Sequence, residues 1–560
     1  MKHNIILMLF AATTAFTGCS DFLSEYSQDQ IVAKKVQDLD ELLLGDGYLQ
    51  SSIVASGPNV TRVAGFFNVL DDDVNTGKDL EIEGETNSTY VGKAWVQSLQ
   101  NMYGYFGWQQ DVGTNYDGTV VSDDAATWDK FYKHINVCNV ILHEIQDLPH
   151  ETEEDLATFY RVQGETHFIR ASLYFSLVNL YADMYEESTC ATELGVPLKL
   201  TPDVEFEFHR ASVKEVYDQI VDDLLKAEEF LTLSPQSTSH LLHRASVEAV
   251  DVLLSRVYLY MQQWDKAAEK AAAAMKSTNF YLASLSSLSA SATYLTEDNN
   301  DVIFSQGSNV LSSTNIFTGR PGDFCVSKDL YDLYDENDRR RDCFFSRYAN
   351  DSTVSVVKCD SIALKNKYER GNSLRAHISD AFTLRMSEAY LNRMEALAMM
   401  GRDAEALALL NQLRSERIDG YTIQTYAGEE LVDQIRNERR KELCFEGHRW
   451  FDLRRYAVCT TYPYTKTLVH AYNVCGDYVG VEYTYTLVLP PHDPSYTFAI
   501  PKSVLDFFTD GSMPTNPRYK RTPLEDEETD ETDSADSADS ADSADSADSA
   551  DSADSADSAE

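Results

Sequence analysis

Apolar residues recur at helical spacing over most of the chain, and long polar insertions interrupt them. A short helix is predicted near Val36 to Leu44. Residues 60–125 lose the helical period and are rich in Gly, Asn, Asp and aromatic residues. Order resumes with Trp128, Phe131, Tyr132, Ile135, Val140 and Leu142, an amphipathic pattern. A further helix is predicted from Gly164 to about Tyr181, with Phe168, Tyr174, Phe175 and Leu177 as its core side chains. Three more follow a loop through Gly195-Val196-Pro197-Leu198, over Val213 to Leu231, Ala245 to Met261 and Trp264 to Met275. The last two alternate Ala with large residues on facing sides, the character of a tetratricopeptide repeat (TPR). Met386 to Met400 and Asp403 to Arg417 repeat that unit around Gly401-Arg402. The spacing between units is uneven, so a regular solenoid is excluded. The expected fold is mainly α, a TPR-like helix-turn-helix scaffold with long loop-rich insertions and a few short β-strands. Strand-like runs fall near Val302 to Ser305, Thr353 to Val357 and Tyr478 to Leu489.

One stretch combines helical period with dense charge, Leu431 to Tyr456. Leu431, Ile435 and Leu443 supply the period, and Glu438, Glu442 and Glu446 share a face four residues apart. Arg439, Arg440, Arg449, Asp452, Arg454 and Arg455 surround them, and Gly447 can end the helix. Charges packed beside Trp450, Phe451 and Leu453 tolerate burial only when each meets a partner. Three carboxylates could suggest a glycosidase acid and base, but adjacent arginines lower a carboxyl's pKa and remove it from general-acid duty. A structural ion-pair cluster is expected instead.

The chain carries a formal net charge of -44, to which residues 525–560 contribute 16 acidic residues and no Lys or Arg. Such acidity argues against a nucleic-acid partner, which needs basic patches. Asp533 to Ala559 is the triplet DSA repeated nine times and is expected to be disordered. None of the nine cysteines forms a CxxC pair, so a zinc or thioredoxin-type site is not expected. Eight of them could form disulfides in an oxidising compartment, while Cys138 and Cys444 fall in helical patterns that also suit buried thiols. Asp71 to Gly77 half resembles a calcium loop, but its Gly sits one place late and no Glu stands at the twelfth position. A polar turn is expected there, with no metal and no cofactor. P-loop, G-x-S-x-G, HExxH and dinucleotide fingerprints are all missing from the sequence.

Met1 to Gly18 reads as an export signal, with Lys2 and His3 before an apolar run from Ile5 to Ala12 that is too short to span a bilayer. Thr17-Gly18-Cys19 resembles a bacterial lipobox, in which the Cys19 thiol receives a diacylglyceryl group. Two or three acyl chains anchor a protein firmly. The organisation expected is a lipoprotein signal peptide over 1–18, a helical part over 19–280 with an aromatic loop at 60–125, a second part over 281–522 with an insertion at 281–380, and an acidic tail over 523–560.

Several motifs agree in order with one family. Glu438-Arg439, Glu442-Leu443, Glu446-Gly447, Arg449 and Asp452-Leu453-Arg454-Arg455 resemble the C-terminal signature of SusD/RagB lipoproteins. Cys19-Ser20-Asp21-Phe22-Leu23 resembles the start of their mature chains. The spacing of Trp128, Tyr132, Ile135 and Asn139, the segment Gly164 to Ala171, Ala499-Ile500-Pro501 and Asn516-Pro517 also look like the family. The resemblance covers about Cys19 to Tyr519. It implies a surface-exposed outer-membrane lipoprotein that binds a nutrient polymer fragment, an oligosaccharide or in RagB-type members a peptide. It also implies delivery to a SusC-like TonB-dependent β-barrel transporter, without catalysis. A glycoside hydrolase stays open because its carboxylates have no fixed spacing. A protein-only TPR scaffold would not need aromatic-rich insertions.

Sugars stack their C–H faces on aromatic rings. Residues 95–117 therefore supply the candidate ligand face: Trp95, Tyr103, Tyr105, Trp108 and Tyr116. Trp108 and Tyr105 lead, because Gly104 and Gly107 could free the backbone to present rings outward. Tyr294 and Phe317 are further candidates in the second insertion. The competing expectation is that such rings are core.

Overall fold

The computed structural model describes residues 33–49, 64–76, 81–82, 100–475 and 481–525, apart from 204, 206, 239–240, 287, most of 308–322 and 348–361, 369–377 and 523. Helices α1 (Val36–Leu42), α2 (Tyr103–Phe106) and α3 (Ala126–Glu144) lead to α4 (Glu153–Tyr181), the central element. Thr152 starts α4 by accepting the Asp155 N–H on its hydroxyl, and Glu153, Glu154 and Asp155 suit the positive end of the helix dipole. From Arg161 to Tyr181 nearly every side chain is buried, as in a helix surrounded by others. Helix α5 (Val213–Leu233) lies against it, capped by a reciprocal Ser212–Glu215 pair. A Cβ at Gly164 would come within 2.6 Å of Leu231 Cγ, so the two helices approach closely only because that position is glycine.

The TPR-like units follow. Helices α6 (Val247–Tyr260) and α7 (Trp264–Ala274) form the first pair. After the short helices α8 (Lys328–Tyr331) and α9 (Arg339–Phe344), helices α10 (Met386–Met399) and α11 (Asp403–Ser415) form the second. Buried Ala267, Ala268, Ala271 and Ala274 give α7 a small-residue face, and α7 packs on α10. Both turns need a left-handed residue. The second uses Gly401 at φ 72°, at no steric cost. The first forces Gln262 to φ 56°, held there by its amide, which donates to Val458 O and accepts from Thr460. Helices α12 (Gly428–Glu442), α13 (Arg449–Ala457) and α14 (Lys502–Leu505) complete the helical part.

Short antiparallel strands cross the helical framework. Strands β1 (Val74–Thr76), β6 (Phe324–Val326), β9 (Ile362–Leu364) and β7 (Phe345–Arg347) form one sheet in that order. Pairs β2 (Glu81–Ile82) with β8 (Val357–Lys358), β3 (Leu194–Pro197) with β4 (Arg210–Ser212), and β5 (Val302–Ser305) with β10 (Thr383–Arg385) are small. Strands β11 (Leu468–Cys475) and β12 (Val481–Leu489) form a hairpin joined by β13 (Leu524–Glu525). One apolar cluster runs from Val36 to Met513 and includes residues on both sides of position 280. The fold is mainly α with few short strands, as the periodicity predicts. Cys138, Cys190, Cys325, Cys343, Cys444 and Cys459 are buried free thiols. Among the described residues no helix is long and apolar enough to cross a membrane.

Candidate functional site

The aromatic run is core. Trp108 is 1% exposed, Tyr105 3% and Tyr103 4%. The Trp108 indole donates from Nε1 to Leu70 O at 2.8 Å and stacks on His470 with ring centroids 4.3 Å apart. Tyr105 stacks on Phe66 at 4.2 Å, and Tyr103 meets Tyr472 edge-on at 4.7 Å. Gly104 serves a close backbone approach, since a Cβ there would lie 2.4 Å from Val112 O. This corrects the outward presentation expected for Tyr103, Tyr105 and Trp108: the glycines let the segment pack inward. Tyr116 is half-buried against Tyr103 and Tyr472. Trp95 lies outside the described residues. Tyr294 is buried and donates its hydroxyl to Asp301, and Phe317 is buried against Phe324 and Phe445, so neither offers a ligand face.

The charged stretch forms a buried network. Arg340 donates to Glu438 at 2.6 Å and Glu442 at 3.0 Å, and Arg417 to Glu442 at 2.9 Å. Arg385 reaches Asp301 at 2.5 Å, Glu442 at 3.2 Å and Glu446 at 2.8 Å. Lys367 pairs with Glu446 at 2.7 Å, and Arg414 with Glu438 at 2.7 Å. Asp452 is held by Arg439 and Arg455, both at 2.8 Å. Burial alone would raise the Glu442 carboxyl, but Arg417, Arg385 and Arg340 outweigh it and hold it well below the carboxylate range. Glu438 moves the same way, with Arg340, Lys441 and Arg414 overcoming burial. Such carboxylates stay ionised and have no proton to give a leaving group.

The network extends to the turn at Asp71–Asp73. Among the described residues this is the group whose acidic oxygens lie within 4.8 Å of one another. Arg449 grips Asp72 with two bonds at 2.7 and 2.9 Å, Lys466 adds a third contact, and Arg440 pairs with Asp73 at 2.6 Å. Burial, then Asp73 and Asp72, push the Asp71 carboxyl well up. The protein's own cations thus engage both oxygens of Asp72 and Oδ1 of Asp73, while among the described residues Asp73 Oδ2 is buried without a hydrogen-bond partner.

A cleft of about 390 Å³ opens beside this network. That size lies within the range of small-ligand sites, roughly 300–1,000 Å³. Its walls come from the loop after α4, the end of α13, Thr465 and Lys466, residues 491–497, and Asn516-Pro517. The C-terminal end of α4 underlies it. Arg454 donates to Asn179 O, to Ala182 O at 2.8 Å and to Thr497 Oγ1 at 3.0 Å. Asn516 donates to Tyr181 O and Phe498 O, both at 2.7 Å. Thr497 in turn donates to Asp183 at 2.7 Å. Tyr496 is held flat by stacking on Trp450, with centroids 4.9 Å apart, and Pro491, Pro494 and Pro517 add rigid apolar faces. Lys466 is taken up by Asp72 and Asp329, and Asp493 by Arg521. Glu186 and Glu193 form no ion pair among the described residues. The cleft thus offers carboxylate and hydroxyl groups beside flat apolar faces. Sequence reasoning missed it as a site because its lining is scattered from residue 183 to 517. The available signals were Arg454 and Asn516-Pro517, each singled out in the sequence for another reason.

The chain thus combines TPR-like helices and strand-bearing insertions with an open polar cleft. Residues 61–259 match the family described as starch-binding and associating with the outer membrane, and residues 348–519 match the SusD family. The chain belongs to the SusD/RagB family. A SusD-like protein of Formosa agariphila is 23% identical over 402 residues, 62% of this chain and 75% of that protein. A SusD-like carbohydrate binding protein of Bacteroides vulgatus superposes with a TM-score of 0.62 at 21% identity, covering 86% of this chain and 98% of its own. A SusD superfamily protein of Bacteroides thetaiotaomicron gives a TM-score of 0.60 at 20% identity, covering 86% and 100%.

Proposed function

We propose that the protein is a non-catalytic outer-membrane lipoprotein that binds an oligosaccharide in the cleft beside Tyr496. It is anchored through lipid on Cys19, faces the exterior, and delivers its ligand to a SusC-like TonB-dependent β-barrel transporter. The observation that carries the binding reading is the cleft's lining, in which a fixed aromatic ring and three prolines alternate with polar acceptors. Family membership supports the membrane setting and the transporter partner, and the fold relative from Bacteroides vulgatus is itself described as carbohydrate binding. The test is a glycan array with the detergent-solubilised lipoprotein, followed by calorimetry on hits and chromatography for released product. Binding without product is expected, and Tyr496→Ala should weaken it by roughly 1–4 kcal/mol, as for other interface anchors. Peptide binding alone would favour a RagB-type role, and product release would make the protein an enzyme. Cys19→Ala should abolish sedimentation with the outer membrane, and unchanged partitioning would overturn the anchor.

A further inference from the structure

We infer that the cleft selects amine-bearing oligosaccharides, oligomers of an amino sugar, over acidic ones, an inference that rests on the binding reading above. The cleft is lined by Asp183, Glu186, Glu193 and Asp493 on one side of the charge balance and by Arg454 and Lys466 on the other. Both cations are already engaged. Arg454 spends its donors on two carbonyls and the Thr497 hydroxyl, and Lys466 bridges Asp72 and Asp329. Asp493 is neutralised by Arg521. Among the described residues Asp183 forms no ion pair, although it lies in the field of Arg454 and Arg210, and its side chain accepts a bond from Thr497. Glu186 and Glu193, both half-buried, have neither. Three carboxylates, Asp183, Glu186 and Glu193, are thus left to face the cleft against Arg454, whose partners are neutral oxygens, and the exposed His492, and a carboxylate can only accept hydrogen bonds.

An ammonium group supplies three donors and the opposite charge. A uronate or sulfate would add a like charge to the same space, which disfavours binding. A single metal ion is a poorer match, because the cleft's carboxylates do not converge within 4.8 Å as Asp71, Asp72 and Asp73 do. Dispersed carboxylates suit charges repeated along an extended ligand. Tyr496, the three prolines and the hydroxyls of Thr189 and Thr465 favour a sugar as the carrier of those charges over a peptide.

Calorimetry on the detergent-solubilised protein can compare tetramers of glucosamine, N-acetylglucosamine and galacturonate at a pH where the free amine is protonated. The glucosamine tetramer should bind about tenfold tighter than its acetylated form, as two or three exposed pairs together provide. The galacturonate tetramer should not bind. Raising the salt concentration should erase the preference for glucosamine. In Glu186→Gln and Glu193→Gln together the preference should disappear, with thermal melting as the folding control. Equal affinity for the glucosamine and N-acetylglucosamine tetramers, or a preference that survives the double variant, would overturn charge selection while leaving oligosaccharide binding in place. Tight binding of a lysine-rich peptide with no sugar binding would overturn the amino-sugar class. Failure of all these probes beside hits for other glycans on the array would overturn the amino-sugar class alone, and an array without hits would remove the binding reading itself.

Discussion

Two acidic regions of this molecule touch through Lys466 and behave in opposite ways. In the buried network each of Glu438, Glu442 and Glu446 meets at least two cations. In the cleft Glu186 and Glu193 meet none among the described residues. Buried charge must be paired before the chain can fold, because an ion stripped of water and partner is costly. A carboxylate at an open cleft keeps its water and can wait for a ligand. The lesson is that acid count says little about function, whereas unsatisfied acid at a concave surface says a good deal.

The comparison breaks first at the network. Glu442→Ala leaves Arg340, Arg385 and Arg417 facing one another without their shared carboxylate. A loss of about 3–5 kcal/mol in denaturant unfolding is expected, and a similar loss for Glu446→Ala or Arg449→Ala. Unchanged stability with abolished ligand binding would make the network a working site. Trp108→Ala removes a core side chain and should cost about 3–5 kcal/mol in the same measurement, with ligand affinity at low temperature largely retained. An intermediate case is Asp251, whose carboxyl is pushed by burial up to about 7 although Lys270 opposes the shift. Because its folded value is raised, its contribution is present below the ordinary carboxyl value and lost as pH rises through about 7. Asp251→Asn should therefore gain on the order of 1 kcal/mol over wild type on the alkaline side and flatten the melting profile there. Asp223 runs the other way. Burial raises it, but His167 and Arg170 bring it down to about 2, so its contribution is present above the ordinary carboxyl value and fades as pH falls through about 2. Glu193→Gln should change stability by less than about 0.5 kcal/mol, as for surface positions, while altering ligand preference. Deleting residues 526–560 should change neither stability nor binding, because a DSA repeat has no apolar surface to bury. A large fall in melting temperature on that deletion would show that the tail docks.

The helices were legible because period and burial are linked by geometry. Trp128, Phe131 and Ile135 are buried in α3, and Val216, Tyr217, Ile220 and Leu224 are buried in α5, as their spacing requires. The start of α4 at Glu153 was missed, because its first turn is acidic and its cap, Thr152, stands outside any apolar pattern. The turn after α12 also came earlier than Gly447. The helix closes at Glu442, and Phe445 at φ 57° joins Gly447 at φ 72° in making the bend. The aromatic run could not be oriented from sequence, since the residues that bury Trp108 are Leu70 and His470, the latter more than three hundred positions away. The cleft was illegible for the same reason, as it exists only where loops from distant segments meet.

The carbonyl end of the central helix has a consequence for the order in which this chain can be completed. Asn179 O and Ala182 O are bonded by Arg454, Leu180 O by the Phe498 N–H, and Tyr181 O by Arg210 and Asn516. A helix end sealed inside a protein needs those donors. Apart from Arg210, these donors stand at least 272 positions further along the chain than the carbonyls they meet. A chain emerging from its amino end therefore reaches α4 long before it can close it, and the last turn stays open to water until residue 516 arrives. A product truncated before Phe498 lacks the donor for Leu180 O and one of those for Tyr181 O. The interval between synthesis of α4 and arrival of that clasp is the period in which a chaperone would have a partly formed core to hold.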